Sequence, residues 1–468
     1  MQNRVSGGLA SAKFSEQSGD IVARLERLPF SPFHFRAAAI LAVGTFFDAF
    51  DSICIGVALA VIFRSLHIGF FNAGLLLSSG FVGQFFGAWA FGFLSERSGR
   101  KVAFIVALGL FGLLSVVVAF AWNIESLVVL RVVQGFGLGG EVPVAAALFN
   151  ELLRADKRGQ VVTIYQTIFQ WGALLTPLIG LACFGLFGPD LGWRVLFLFG
   201  GIPVLVAIYA WRALPESPRW LANHGRYQEA DAIVRAIEAQ RFKERLAPPR
   251  AQPPQSAAAT SVGELFAGIY LRRTIMLWLL WATCFFVAYG FSIWLPTLYV
   301  SIGHLPVTWA LWLSVMTWAV NIVTMYAMAL VLDTIGRKPF LVAGFLVIAV
   351  GGFFGAVAVT EFHATGWSIL FTVNIFLSIG TSLTTVLAVA YTAELYPTRM
   401  RGLGVSSASS MNRLASIAAP SVVGALLAAQ LGIEIVFALF GLVGLIGAFV
   451  IAAMGIETKR RSLEELSP

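Results

Sequence analysis

Twelve stretches of this chain are long and apolar enough to cross a lipid bilayer, and few folds can accommodate that many. A helix that crosses a hydrocarbon core of about 30 Å needs roughly 20 apolar residues at a rise of 1.5 Å each. The runs are 37–63, 70–94, 102–121, 125–149, 160–187, 194–214, 274–300, 307–332, 339–359, 366–391, 402–429 and 433–456. In lipid every backbone polar group needs a partner within the protein, so runs of this length are read as helices. Charged residues make up only 12% of the chain, hydrophobic ones 58%, and the mean hydropathy is +0.83. A water-soluble fold could not hide so much apolar surface. The sequence predicts an all-α membrane protein of twelve transmembrane helices.

The basic residues follow topology, so the net charge of +8 gives no reason to invoke nucleic acid. With both ends placed in the cytoplasm, the outer connections hold only Arg64 and Arg194 of the 32 Lys and Arg residues. Arg131 and Arg413 lie within spans, and the rest fall on the inner side, as the positive-inside tendency expects. The expected organisation is a cytoplasmic segment 1–36, a six-helix bundle 37–214, a cytoplasmic link 215–273, a second bundle 274–456 and a cytoplasmic tail 457–468. Within the link, Arg226 to Arg245 reads as an amphipathic helix with Ala230, Ile233, Val234 and Ile237 on one side.

The two bundles repeat each other. Glu96-Arg97-Ser98-Gly99-Arg100-Lys101 recurs 237 residues later as Asp333-Thr334-Ile335-Gly336-Arg337-Lys338. Glu151 with Arg158 recurs 243 residues later as Glu394 with Arg401, and Glu216 recurs 241 residues later as Glu457. Duplicated halves around a midplane site are a transporter design.

These landmarks carry a resemblance. The stretch Gly92 to Lys101 is similar to the loop 2–3 signature of the major facilitator superfamily, with Glu96 in place of the usual Asp. Arg131 to Gly140 resembles that family's fourth-span motif, and Pro215 to Leu221 its sugar-porter and metabolite-porter signature. Phe47 to Asp51 and Gly139 to Ala145 resemble the metabolite:proton symporters, near which nicotinate permeases and aromatic-acid symporters belong. The resemblance implies two pseudo-symmetric bundles and pairing of spans one and four. Span five lacks the Gly-Pro-rich signature of drug antiporters, which argues for uptake rather than efflux.

Charges inside spans are costly and need a reason. Asp48 and Asp51 share one face of span one; Arg131 and Glu141 sit on span four. A carboxylate beside a movable arginine is a proton switch, so these four are candidates for proton coupling. The alternatives are a permanent ion pair for Asp51 with Arg131 and a packing hydrogen bond for Glu141. Arg413 interrupts span eleven within a Ser-rich stretch, and its planar fork suits a substrate carboxylate. Its alternative is a pairing with an acid on another span. Tyr289, Gln166, Gln170, Trp171, Trp294 and Asn374 complete the candidate binding residues. Glu96, Arg97, Arg100, Glu151, Arg158, Asp333, Arg337, Glu394 and Arg401 are candidates for a cytoplasmic gate.

No cofactor or metal is expected: the three cysteines, Cys54, Cys183 and Cys284, show no ligand spacing. The glycines at 135, 137, 139 and 140 lie in a span with no preceding strand, so they are not a dinucleotide loop. The expectation is a secondary transporter of the inner membrane, not an enzyme. It is expected to act as a monomer and to import a small organic acid, such as an aromatic monocarboxylate, with protons. A sugar or polyol porter is the first alternative; a channel or receptor is the one from another class.

Overall fold

The computed structural model describes residues 19–28, 31–65, 68–153, 155–239, 261–397 and 400–459, without the side chains of 64, 65, 155–166 and 333. A short helix α1 over 19–26 precedes the first span. The N-terminal half follows as α2 (Pro32–Ser65), α3 (Phe70–Ser98), α4 (Arg100–Val118), α5 (Ile124–Leu152), α6 (Ala155–Phe199) and α7 (Ile202–Ala213). Two helices of the link, α8 (Pro218–Asn223) and α9 (Tyr227–Glu238), come next. After a 3-10 turn at Val262–Phe266, the C-terminal half comprises α10 (Gly268–Ser292), α11 (Leu295–Ser301), α12 (Val307–Ile335), α13 (Arg337–Phe362), α14 (Trp367–Glu394), α15 (Arg401–Ala428) and α16 (Ile433–Met454).

Eleven helices among the described residues are long and apolar enough to span a membrane, and one of them, Thr167–Ala213, is two spans. Gly188 breaks it at φ 72°, with Pro189 next. A Cβ on Gly192 would stand 2.9 Å from the carbonyl oxygen of Cys183 and 3.0 Å from Cα of Phe184. Residues eight or nine apart in a continuous helix are separated by roughly 12 Å or more, so the chain folds back here. Twelve spans result, as the sequence predicts.

Glycines let the helices lie backbone to backbone, which is how membrane helices gain packing where burial from water offers nothing. A Cβ on Gly83, Gly87 or Gly135 would collide with the backbone oxygen of Val132, Phe136 or Gly80, so α3 and α5 are pinned along their length. The duplication extends to these seams. A Cβ on Gly112 would lie 2.9 Å from the backbone nitrogen of Val204, and Gly352, 240 residues later, meets Gly441 in the same way.

Acids and bases gather at one end of the bundle. There Glu216 accepts from the backbone N–H groups of Arg100 (2.9 Å) and Lys101 (3.1 Å), capping α4. Glu457 accepts from those of Arg337 (3.0 Å) and Lys338 (3.0 Å), capping α13. The chain turns into each helix at a glycine of positive φ, Gly99 at 103° and Gly336 at 109°. Burial pushes the Glu216 carboxyl above the usual carboxylate range, against the pull of the N–H groups of Ser217, Lys101 and Arg100.

The two halves touch near the opposite end. Gly74 of α3 and Gly424 of α15 face each other, and a Cβ on Gly74 would stand 2.8 Å from the carbonyl oxygen of Pro420. Ser78 donates to the carbonyl of Ile417 (2.7 Å) and accepts from Ser421 (2.8 Å). Gly56 of α2 abuts the backbone of Ile293. The described ion pairs of the charged end, by contrast, each join residues of the same half or its link.

Candidate functional site: a polar cluster at mid-membrane

Asp51 is sealed into a three-residue knot. Arg131 Nη1 donates to both of its carboxylate oxygens at 2.7 Å and to Gln134 Oε1 at 2.8 Å. Gln134 Nε2 donates back to Asp51 Oδ1 at 2.7 Å. Asp51 is 2% exposed and Arg131 3%. Arg131 lies against a glycine of α3: a Cβ on Gly80 would stand 2.9 Å from Nη2. The Phe197 ring lies 5.9 Å from the guanidinium carbon. The pairing of spans one and four, implied by the resemblance, is present.

One turn away, Asp48 looks to the other half. The charge of Arg413 acts on it from α15, as does that of Asp51. Arg413 is half-buried and contacts the amide oxygen of Gln84, on α3, through Nη1. Asp48 and Arg413 both act electrostatically on Tyr289 of α10. Tyr289 packs on Phe81 with ring centroids 4.9 Å apart and stacks on Phe285 at 6.1 Å, which in turn meets Trp281 at 5.3 Å. An arginine, an amide that it contacts and a carboxylate are thus gathered near a run of aromatic rings. All three lie near the middle of their helices. The Ser406, Ser409, Ser410, Asn412 and Arg413 face of α15 is left open or half-open. Lipid is a poor solvent for such a face, which makes it a candidate for lining a polar cavity.

Glu141 is fully buried against Gly44 of α2, and among the described residues neither of its oxygens has a hydrogen-bond partner. The charge of Asp48 is the one that reaches it. A packing hydrogen bond, the alternative reading of this residue, is not seen among the described residues.

A family model described as "Sugar (and other) transporter" matches residues 37–468. The chain belongs to that family. It is a multi-pass membrane transporter of the major facilitator superfamily, and its relatives are transporters rather than enzymes. The niacin transporter NiaP of Acinetobacter baylyi is 32% identical over 96% of this chain and 99% of its own length. The 4-hydroxybenzoate transporter PcaK of Pseudomonas aeruginosa is 30% identical over 60% of this chain and 62% of its own. Among solved structures, the partially occluded inward open conformation of the xylose transporter XylE from E. coli has a TM-score of 0.75. It covers 92% of this chain and 100% of that one at 20% identity, a likeness of fold alone.

As a member of this family, the chain carries its charged-end motifs as a network. Arg100 pairs with Glu96 at 2.9 Å and Glu151 at 3.1 Å, and Arg337 pairs with Glu394 at 3.2 Å. Trp220 Nε1 donates to the carbonyl of Glu96 (2.9 Å), and Arg219 to that of Glu151 (2.9 Å), so the link is stitched to this end. Arg97 is exposed and takes no part in the described ion pairs. Arg401 begins α15 at the same end. The side chains of Arg158, Asp333 and Gln166 lie outside the described residues.

Not every candidate binding residue joins the cluster. Trp294 is completely buried, and its indole donates to the carbonyl of Pro420 (3.1 Å) in the contact between halves. Asn374 is enclosed within the C-terminal half, donating to Thr317 and accepting from Ser378 (3.2 Å). Trp171 is an exposed apolar side chain, and the buried amide oxygen of Gln170 has no partner among the described residues. Gln84 went unmarked in the sequence, although an amide inside an apolar span carries the same signal as a buried charge.

Proposed function

We propose that this transporter imports a small aromatic monocarboxylate across the bacterial inner membrane together with protons. Arg413 carries the reading. It lies mid-helix and half-buried on α15, and its charge reaches Tyr289, which packs with Phe81 and Phe285; we read the open polar face around it as the lining of the substrate cavity. A guanidinium binds a carboxylate through paired, charge-assisted hydrogen bonds, and a flat ring gains from an aromatic wall. The relatives named for niacin and 4-hydroxybenzoate point the same way, since each compound joins one ring to one carboxyl group.

Proton coupling rests on Asp51 with Arg131, and on Asp48 and Glu141 nearby. Withdrawing an arginine from a buried carboxylate changes its hold on a proton, which ties ion binding to helix movement. The Lys/Arg asymmetry puts both termini and the link 215–273 in the cytoplasm, so the charged end is the inner one and its ion pairs form the gate. Bundles 37–214 and 274–456 then rock about the midplane cluster in a monomer.

One observation favours a sugar instead: the Pro215–Leu221 motif of a family described first by sugars. Titration of detergent-purified protein with nicotinate, nicotinamide and xylose separates the readings. The acid is expected to bind best, and Arg413→Ala to erase its advantage over the amide. The loss of a charge-assisted contact is worth about 1.5–3 kcal/mol, or roughly ten- to more than a hundredfold in affinity. Equal binding of acid and amide by the parent, or tighter binding of xylose, would return the sugar reading to first place.

A further inference from the structure

Gln84 is nearly buried, at 2% exposure, yet its amide reaches across the two halves to a cation. Its origin is fixed by the α3–α5 seam. A Cβ on Gly139 would stand 2.6 Å from Cα of Gln84, and Gly83 and Gly87 on either side press on Val132 and Phe136. Backbone thus lies close against backbone between α3 and α5 at this residue. The contact is part of a polar seam between α3 and α15, continued by the hydrogen bonds of Ser78 to Ile417 and Ser421. Arg413, on the other side, is only half-buried.

We propose that Gln84 is a positioning residue for the substrate carboxylate: it takes one prong of Arg413 from the rigid N-terminal half and turns the remaining donors of the guanidinium into the cavity. The idea rests on the organic-acid reading of Arg413. A guanidinium has five N–H donors in a fixed plane, so restraining one nitrogen orients the others without using them up. The neutrality of the amide is what makes it suitable. A carboxylate at this position would pair with Arg413 through a charge-assisted bond and compete with the substrate for the same fork. An amide oxygen restrains one nitrogen without neutralising the guanidinium, so its charge and its other donors stay available to an acid. Because the two partners belong to different halves, the restraint also ties the orientation of the fork to the relative placement of the bundles.

The test uses the full-length purified chain with Gln84→Glu and Gln84→Ala, titrated with nicotinate and nicotinamide between pH 5 and 8. In Gln84→Glu, nicotinate affinity at neutral pH should fall by about tenfold or more, from competition by a charged partner. Nicotinamide binding should stay close to that of the parent. The deficit should shrink towards pH 5 relative to the parent measured at the same pH, as the introduced carboxyl takes up a proton. Gln84→Ala should lower the acid-over-amide preference by a smaller factor, about threefold to tenfold, with no such pH-dependent recovery. Nicotinamide binding reports that each variant is folded. Unchanged nicotinate affinity in both variants overturns the proposal. An equal loss for acid and amide also overturns it, because that is what a merely structural residue would give. A parent that binds acid and amide equally overturns the organic-acid reading, and this inference with it.

Discussion

Asp48 and Asp51 stand one turn apart on α2 and answer to arginines of opposite halves. Arg131, from the same half, holds Asp51 at 2.7 Å inside a sealed knot, while the charge of Arg413 reaches Asp48 from α15. Rocking of the halves would alter the second pairing directly, and the first only through a rearrangement within the N-terminal half. Neighbouring carboxylates of like chemistry are thereby given different surroundings.

That difference makes the two aspartates separable. Asp51→Asn should abolish accumulation driven by a pH gradient in proteoliposomes while preserving substrate exchange, because the amide keeps the size and one acceptor oxygen but cannot titrate. Asp48→Asn is the matched control. Accumulation by Asp51→Asn at the level of the parent would move the proton step to Asp48 or Glu141.

The glycines before α4 and α13 should be irreplaceable. Gly99 and Gly336 have positive φ, and a Cβ at either would run against the carboxylate of Glu216 or Glu457. Strain of this kind is of order 1–3 kcal/mol before the lost cap is counted. Gly99→Ala and Gly336→Ala should each lower thermal stability in detergent. Gly92→Ala, which meets nothing within 4 Å, should not. Equal melting temperatures across the three would remove the structural importance assigned to these turns.

Acid should loosen the clamp between α1 and α9. Arg24 pairs with Asp231 at 2.6 Å and with Glu238 at 2.7 Å, and Arg27 with Glu238 at 2.6 Å. The hydrogen bond from Arg24 holds the Asp231 carboxyl below its ordinary range. At Glu238 burial opposes the charge, but the bonds from Arg24 and Arg27 outweigh it, and that carboxyl is depressed too. For acids lowered in the folded state, the stabilisation is complete above the ordinary carboxylate range and fades as pH falls through the depressed values. Hydrogen exchange over residues 19–26 should therefore show full protection near neutrality and loss in acid below the usual range. Arg24→Ala should show that loss already at neutral pH. Protection that ignores both changes would leave the clamp without energetic weight.

Sidedness is testable with single cysteines, because the native Cys54, Cys183 and Cys284 are buried. Ser261→Cys, in the link, should react with an impermeant maleimide only after cells are opened. Glu361→Cys, at the opposite end, should react in intact cells. The reverse pattern would invert the assignment of inner and outer ends.

The spans were legible because apolar length is written locally, residue by residue. The gap between the runs 160–187 and 194–214 contains the break that the structure shows at Gly188, and the periodic apolar face of the link helix, Ala230, Val234 and Ile237, is buried. The link helix is described over Tyr227–Glu238, and residues 240–245 of the expected stretch lie outside the described residues. What spacing could not reveal is which helix each buried side chain faces. Trp294 and Asn374 carry the same polar-in-apolar signature as Arg413, yet their partners are Pro420 and Thr317, so they brace helices. Gln84 escaped notice for the opposite reason. Its importance comes from an arginine 329 residues away, and nothing in its own neighbourhood announces that.

The contact of Gly74 with Gly424 bears on how quickly the far end can open. Backbone rests on backbone there, so separating the two helices would require no interlocked side chain to change rotamer at that point. The friction of that movement would then be set by the hydroxyl bonds of Ser78 and by the bending stiffness of α3 and α15. Any side chain placed at 74 or 424 would act as a wedge, and its volume would grade how far the resting population leans towards the opened state.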